Sequence, residues 1–236
     1  MSAIRGARER ARIEVTAAIK DEARKQLAAE GAAKLSLRAV ARELGMVSSA
    51  LYRYFPSRDD LLTALIVDAY DAVGEAAERA HRAAGESGAP ATGLTRWVAV
   101  GCAVRAWALA HPHEYALIYG SPVPGYSAPQ DTVGPAARVG MVLIAIVEEA
   151  RRDEGLALPP LPDELRPEAE RLAADVAPGL APAVAAPLVA AWAQLFGLIS
   201  FEVFGQFNQV VEAREVFFRQ AVTELARTVG LLGRRG

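Results

Sequence analysis

The chain has 236 residues, 52% of them hydrophobic, enough to bury a sizeable core as one large domain or as a small domain joined to a larger one. Its one cysteine, Cys102, excludes an internal disulfide framework and fits a reducing cytoplasm, and the charged opening MSAIRGARERAR lacks the apolar run of a secretory signal. The net charge of -2 is unevenly placed, with +6 over residues 1–58 and -8 over the rest. A basic head suits a module that approaches phosphates, but a solvated basic helix would look the same, and charge alone does not choose between them.

Taken in chain order, the pattern is helical almost throughout. Val15, Ile19, Ala23 and Leu27 share one face of a first helix, which Gly31 stops. Leu37, Val40, Ala41 and Leu44 line a second helix, with Ser36 at its N-cap and Gly45 at its C-terminal stop. A short helix is expected over about Ser48 to Tyr54. Ser57 then caps a long helix reaching towards Ala83, with Asp60 at the capping-box position and Leu61, Leu62, Leu65, Ile66, Ala69 and Val73 on its apolar stripe. The stretch GESGAPATG, residues 85–93, is the clearest linker. Helical spacing resumes over Leu94 to Ala110, Pro112 to Tyr119 and Val133 to Glu154. Beyond the Pro-rich LALPPLPDELRP, a helix runs to about Val176, and two more, Pro187 to Asn208 and Ala213 to Leu232, close the chain. No alternating run long enough for a sheet occurs, so the expected fold class is all-α.

The segment Val176 to Phe201 has no charged residue and raises the question of a membrane span. It is interrupted by Pro178, Gly179, Pro182 and Pro187, and the part beyond Pro187 is too short to cross a bilayer before Glu202. It is expected to be a helix buried in a core or subunit interface, with no membrane partner.

Two short helices across a glycine turn make a helix-turn-helix, whose second helix enters the major groove of DNA. In that helix Leu51 and Phe55 face the core, leaving Ser48, Ser49, Tyr52 and Arg53 outward. Hydroxyls suit phosphate oxygens, and a guanidinium can fork onto guanine. A helical hairpin whose tyrosines fill gaps under the next helix is the other reading of the same spacing.

The run LSLRAVARELGMVSSALYRYFPSRDDLLTALI resembles the N-terminal DNA-binding domain of the TetR family of transcriptional regulators, over about residues 15–70. The capped helix, the Gly turn, Leu-Tyr-x-aromatic-Phe and the Ser-Arg-Asp helix start occur in the family's order. The resemblance implies that Ser36 and Arg38 touch the duplex, that Ser48, Ser49 and Ala50 form the leading groove-facing turn, that Arg53 reads bases, and that Tyr52, Tyr54 and Arg58 contact phosphates. Val47 departs from the pattern, because many relatives have a capping Ser or Thr there. Valine offers no acceptor, so the cap is expected to move to Ser48 and the helix start to shift by one residue. Arg5, Arg8, Arg10 and Arg12 precede the region as a basic arm that either reaches DNA or stays solvated.

Farther on, Trp107-Ala-Leu-Ala-His111-Pro112 with Tyr115, Gly120, Trp192 and Gly197 resembles the C-terminal domain of the family's Trp-His-Gly subgroup. The expected organisation is an N-terminal helix-turn-helix domain over residues 1–58 and a larger helical ligand-binding and dimerisation domain over 59–236. The family resemblance implies a cytoplasmic, nucleoid-associated homodimer whose last two helices form a four-helix bundle, bound to a palindromic operator in double-stranded DNA and released by a small-molecule effector. Candidate interface residues are Trp192, Leu195, Ile199, Val203, Phe204, Phe207, Phe217 and Leu225. Candidate pocket walls are Trp97, Trp107, Tyr115, Tyr119, Phe196 and Phe201, implying an apolar or aromatic molecule. A ligand-independent architectural DNA-binding protein is the competing class. For an enzyme the sequence offers only His111, His113 and Glu114, whose spacing is poor for zinc and whose Pro112 suits a helix start, so no metal, cofactor or catalytic residue is expected. No nucleotide-cradling loop or nucleophile elbow is visible.

Overall fold

The computed structural model describes residues 2–86, 91–153 and 155–232. Among these the backbone forms ten α-helices, three short 3-10 turns and no strand, so the fold is all-α. The helices are α1 (Ser2–Glu30), α2 (Leu37–Glu43), α3 (Ser48–Leu51), α4 (Arg58–Glu86), α5 (Gly93–Ala110), α6 (Pro112–Tyr119), α7 (Val133–Asp153), α8 (Arg166–Asp175), α9 (Pro182–Val203) and α10 (Arg214–Thr228). The linker expected over residues 85–93 falls partly outside the described residues.

The chain divides into two units, Met1–Tyr70 with His111–Pro135, and Asp71–Ala110 with Ala136–Gly236. This division differs from the expected boundary after residue 58. The reason is burial: Leu61, Leu62 and Leu65 of α4 are 0–1% exposed within the core that Ile19, Ala23, Leu27, Leu37, Val40, Leu51 and Phe55 build. Leu117, Val123 and Tyr126 also pack against that core. Asp68 of α4 accepts from Lys20 at 2.9 Å and Arg24 at 2.6 Å, while Arg24 also reaches Glu114 of α6 at 3.2 Å. These side chains are 20–30% exposed, so the network orients α1, α4 and α6 more than it stabilises them. Residues 2–14 belong to α1, with Arg8, Arg10 and Arg12 exposed on it, so the basic N-terminal stretch is helical.

In the second unit α5 packs against α9 and α10, and α8 against α9. One correction concerns Pro187, which interrupts nothing: α9 runs through it from Pro182 to Val203. A proline removes one helical hydrogen bond, and here Val184, Ala185, Leu188 and Ala191 are buried on both sides of it, holding the helix together. By length and composition alone α9 could cross a membrane, but Leu195, Ile199 and Glu202 along its length also lie inside the unit. Glu202 is only 7% exposed and meets Arg105 of α5 in a bidentate pair, with both N···O distances 2.6 Å.

Helices α4 and α7 meet at Gly74, where a Cβ would come within 2.7 Å of Arg138 Cβ. That close approach lets Arg138 donate two bonds to Glu78, each 2.9 Å, and two to Asp71, one to its carbonyl and one to its carboxylate. The guanidinium holds the Glu78 carboxyl below its ordinary value of 4.5, chiefly by hydrogen bonding. A carboxylate depressed on folding contributes stability above its unfolded value and loses it as the pH falls through the folded one. The stability advantage of the wild type over Glu78→Gln should therefore narrow as the pH drops below 4.5, which denaturant midpoints across an acid series would measure. Glu78 is 32% exposed, so solvent screening keeps the effect small.

Candidate nucleic-acid interface

The interface is built from α2, a four-residue turn and α3. The Ser36 hydroxyl accepts from the Ala39 N–H at 3.4 Å, the expected N-cap, while the Ser36 N–H donates to Gln26. Gly45 adopts φ 64°, the left-handed stop that a side chain would strain. The Met46 N–H then returns to Ala41 O at 2.8 Å, fixing the angle between the helices.

Helix α3 spans only Ser48–Leu51, and the chain continues as hydrogen-bonded turns to Tyr54, so the expected helix to Tyr54 is shorter than its spacing suggested. The helix does begin at Ser48, but Ser48 does not cap it. The N-cap position is Val47, in extended backbone with no side-chain hydrogen bond, and the Val47 carbonyl accepts from the N–H groups of Ala50 and Leu51. Ser48 is the first helical residue, and its hydroxyl is left facing out.

Arg38, Ser48, Ser49, Tyr52 and Arg53 are exposed and Ala50 is half-buried, while Leu51 and Phe55 anchor the segment in the core. Two expected phosphate contacts are placed differently. Tyr54 is half-buried against the core of the head. Arg58 turns inward, donating to the carbonyls of Ala32, Ala33 and Leu35, so it ties the 3-10 turn Ala32–Lys34 to the start of α4. The sequence held no signal for this, because the acceptors are backbone carbonyls more than 20 residues away. Ser57 caps α4 through the Asp60 N–H at 3.1 Å. The Asp60 carboxylate accepts from the Ser57 hydroxyl instead of the backbone N–H that a longer Glu would reach.

Residues 19–65 match the family model for bacterial regulatory proteins of the tetR family, and residues 97–225 match the model for the tetracyclin repressor-like C-terminal domain. The chain belongs to the TetR family of transcriptional regulators. An HTH-type transcriptional regulator of Mycobacterium tuberculosis and another of Mycobacterium bovis are each 42% identical to it over 210 residues, 86% of this chain and of theirs. A solved structure described as a regulatory protein is similar at 36% identity and a TM-score of 0.73, covering 92% of this chain and 97% of that one. By name the two mycobacterial relatives are transcriptional regulators, not enzymes.

Two of the three residues that suggested an enzyme, His111 and Glu114, have structural partners in this TetR-family regulator. His111 Nδ1 lies 3.0 Å from Glu114, whose other oxygen accepts from Arg24, and Pro112 opens α6. Among the described residues no three His, Cys, Asp or Glu side chains gather to hold a metal ion.

The six expected pocket walls separate. Trp97, Trp107, Phe196 and Phe201 fall in the second unit, Tyr115 and Tyr119 in the first. Tyr119 meets Tyr115 at 5.1 Å and Tyr70 edge-on at 5.9 Å between ring centroids, and burial pushes the Tyr70 and Tyr119 hydroxyls to higher pKa. Phe201 is 52% exposed and packs edge-on against Phe207, so it belongs to a surface and not to a pocket wall. Trp97 is wholly buried, and its indole N–H finds no acceptor among the described residues. A cavity of about 380 Å³ in the first unit, lined by Leu27, the 3-10 turn, α6 and residues 121–124, contains none of the six.

The expected interface residues separate as well. Leu195, Ile199 and Leu225 are 0–7% exposed within the protomer, so they belong to its own core. Leu195 packs towards Gly101 of α5, which accounts for its burial. Trp192, Phe204 and Phe217 are exposed, with Val203 and Phe207 half-buried beside them. Phe201, Phe207 and Phe217 form an edge-to-face chain with 5.6 Å between successive centroids. Val216, 70% exposed on α10, is a further apolar side chain left open there and was not recognisable from sequence. The helix periodicity marked α9 as apolar nearly all round, without showing which side its own protomer would cover.

Proposed function

We propose that this regulator is a cytoplasmic, nucleoid-associated homodimeric repressor that reads a palindromic operator through α3 and leaves it when an apolar or aromatic effector binds. DNA reading is assigned to residues 1–58, and effector binding and dimerisation to 59–236, with α4 starting at the boundary between them. The observation that carries the reading is the exposed set Arg38, Ser48, Ser49, Tyr52 and Arg53, held on a rigid frame by Leu51 and Phe55. Arg53 reads bases, Tyr52 and Ser49 hold phosphates, and the Ser36 hydroxyl retains a proton for a phosphate oxygen while it caps α2.

The effector side rests on Trp97. A buried donor without an acceptor is costly, and an aromatic ligand bearing one carbonyl or ether oxygen would satisfy it. Release follows if that ligand binds the DNA-incompetent state more tightly, since only differential affinity shifts an equilibrium.

Selection from a random duplex pool, repeated with Arg53→Ala and Tyr52→Phe, tests the assignment. Arg53→Ala should relax the preference at one base pair per half-site, a discrimination of about 1–3 kcal/mol. Tyr52→Phe should weaken all sequences alike. The reverse pattern would mean that the segment meets the groove through another face.

A further inference from the structure

Among the described residues of the reading head, the most exposed large apolar side chain belongs neither to the core nor to a helix cap. Val47 is 71% exposed, against 0% for Leu51 one helical turn on. Its neighbour Met46 packs against the core of the head, whereas Val47 does not. It provides no side-chain cap, and only its backbone carbonyl is used, by the Ala50 and Leu51 N–H groups. Any residue would supply that carbonyl, and Ser, Thr, Asn or Asp would also cap the helix, at a typical gain of about 1 kcal/mol. The position is nevertheless well fixed: Gly45 N–H bonds to Arg42 O at 3.1 Å and Met46 N–H to Ala41 O at 2.8 Å just before it, and α3 starts just after it. An isopropyl group carried on fixed backbone therefore stands at the leading end of the reading helix, beside the exposed Ser48 and Ser49.

The major groove presents one apolar feature at base edges, the C5-methyl group of thymine. We propose that Val47 is a specificity-determining residue that reads a thymine methyl in each operator half-site, with the half-buried Ala50 methyl closing the same apolar patch. The inference rests on α3 being the reading element. It assigns to Val47 a preference for thymine over cytosine that the hydroxyls of Ser48 and Ser49 cannot supply, since a hydroxyl both donates and accepts.

The test removes one methyl group at a time. A duplex recovered by the wild-type protein from a random pool is resynthesised with single dT→dU replacements, made symmetrically in both half-sites, and binding is measured for wild type and for Val47→Ala. Loss of one buried methyl contact is worth about fourfold per half-site, so a symmetric replacement should weaken the wild type on the order of tenfold at one thymine position. Val47→Ala should bind the dT and dU duplexes equally at that position, with an unchanged circular dichroism spectrum because the side chain is exposed. The inference is overturned if the wild type is insensitive to every dT→dU replacement, or if Val47→Ala keeps the wild-type sensitivity. Recovery of no preferred sequence would instead refute sequence-specific reading, and this inference with it.

Discussion

Truncating Arg105 to alanine should lower the stability of the second unit by about 3–5 kcal/mol, the usual cost of removing one partner from a buried ion pair. The side chains of Arg105 and Glu202 are 16% and 5% exposed, and two parallel 2.6 Å bonds join them. Arg105 also lies 5.3 Å from the centroid of the Phe218 ring on α10, so one side chain touches α5, α9 and α10 chemistry at once. After truncation the buried Glu202 carboxylate would lose its bidentate partner, and that uncompensated desolvation carries most of the cost. A double replacement, Arg105→Met with Glu202→Leu, should recover most of the loss because no charge is then stranded. The measurement is selective: all three tryptophans, Trp97, Trp107 and Trp192, belong to this unit, so tryptophan fluorescence in denaturant follows it alone. A single variant within about 1 kcal/mol of wild type would show that the pair is solvated in solution.

Replacing Phe201 by glutamate should produce a monomer and weaken binding to a palindromic duplex by about 10²–10⁴-fold, the range that linking two binding modules provides. Binding to an isolated half-site should not change. The expectation follows from the proposed dimer and from the apolar surface that Trp192, Phe201, Phe204, Val216 and Phe217 leave open on α9 and α10. Single exposed apolar residues are ordinary, but the linked rings of Phe201, Phe207 and Phe217 form a contiguous patch, which marks an interaction surface. Because Phe201 is 52% exposed, a charge there costs the protomer little, and circular dichroism should match wild type. Sedimentation showing an intact dimer would reject this surface as the interface.

Much of the reading head was legible in the sequence because its signals are local. Ser36, Gly45 and Ser57 act within four residues of themselves, through one cap, one left-handed turn and another cap, and each stands where the pattern put it. The same locality marked Leu51 and Phe55 as anchors and left Ser48, Ser49, Tyr52 and Arg53 outside. The inward hydrogen bonds of Arg58 were not legible because its partners are carbonyls of a turn distant in the chain. The packing division after Tyr70 was not legible for a similar reason, since nothing local says that the first turns of α4 finish the core begun by α1 and α2.

The larger unit was legible only in outline. Periodicity gave its helices to within a few residues, apart from the tolerated Pro187, yet could not say which apolar side chains of α9 turn inward. Leu195 and Phe201 are both apolar and six residues apart, and only packing against α5 and α10 makes one core and the other surface. Nor does any spacing connect Arg105 to Glu202, 97 residues away, although a lone carboxylate between Phe201 and Val203 was a sign that some partner had to exist.

By itself the sequence determined the all-α class, the helix-turn-helix and which side chains of its second helix stay exposed, because caps, glycine stops and a 3.6-residue apolar period act over distances of a few residues. The tertiary structure alone decided the inward turn of Arg58, the bare exposure of Val47, the buried Arg105–Glu202 pair and the open face of α9 and α10. Each of these depends on which distant segments exclude water from a side chain, and burial is a property of the packed chain rather than of any stretch within it.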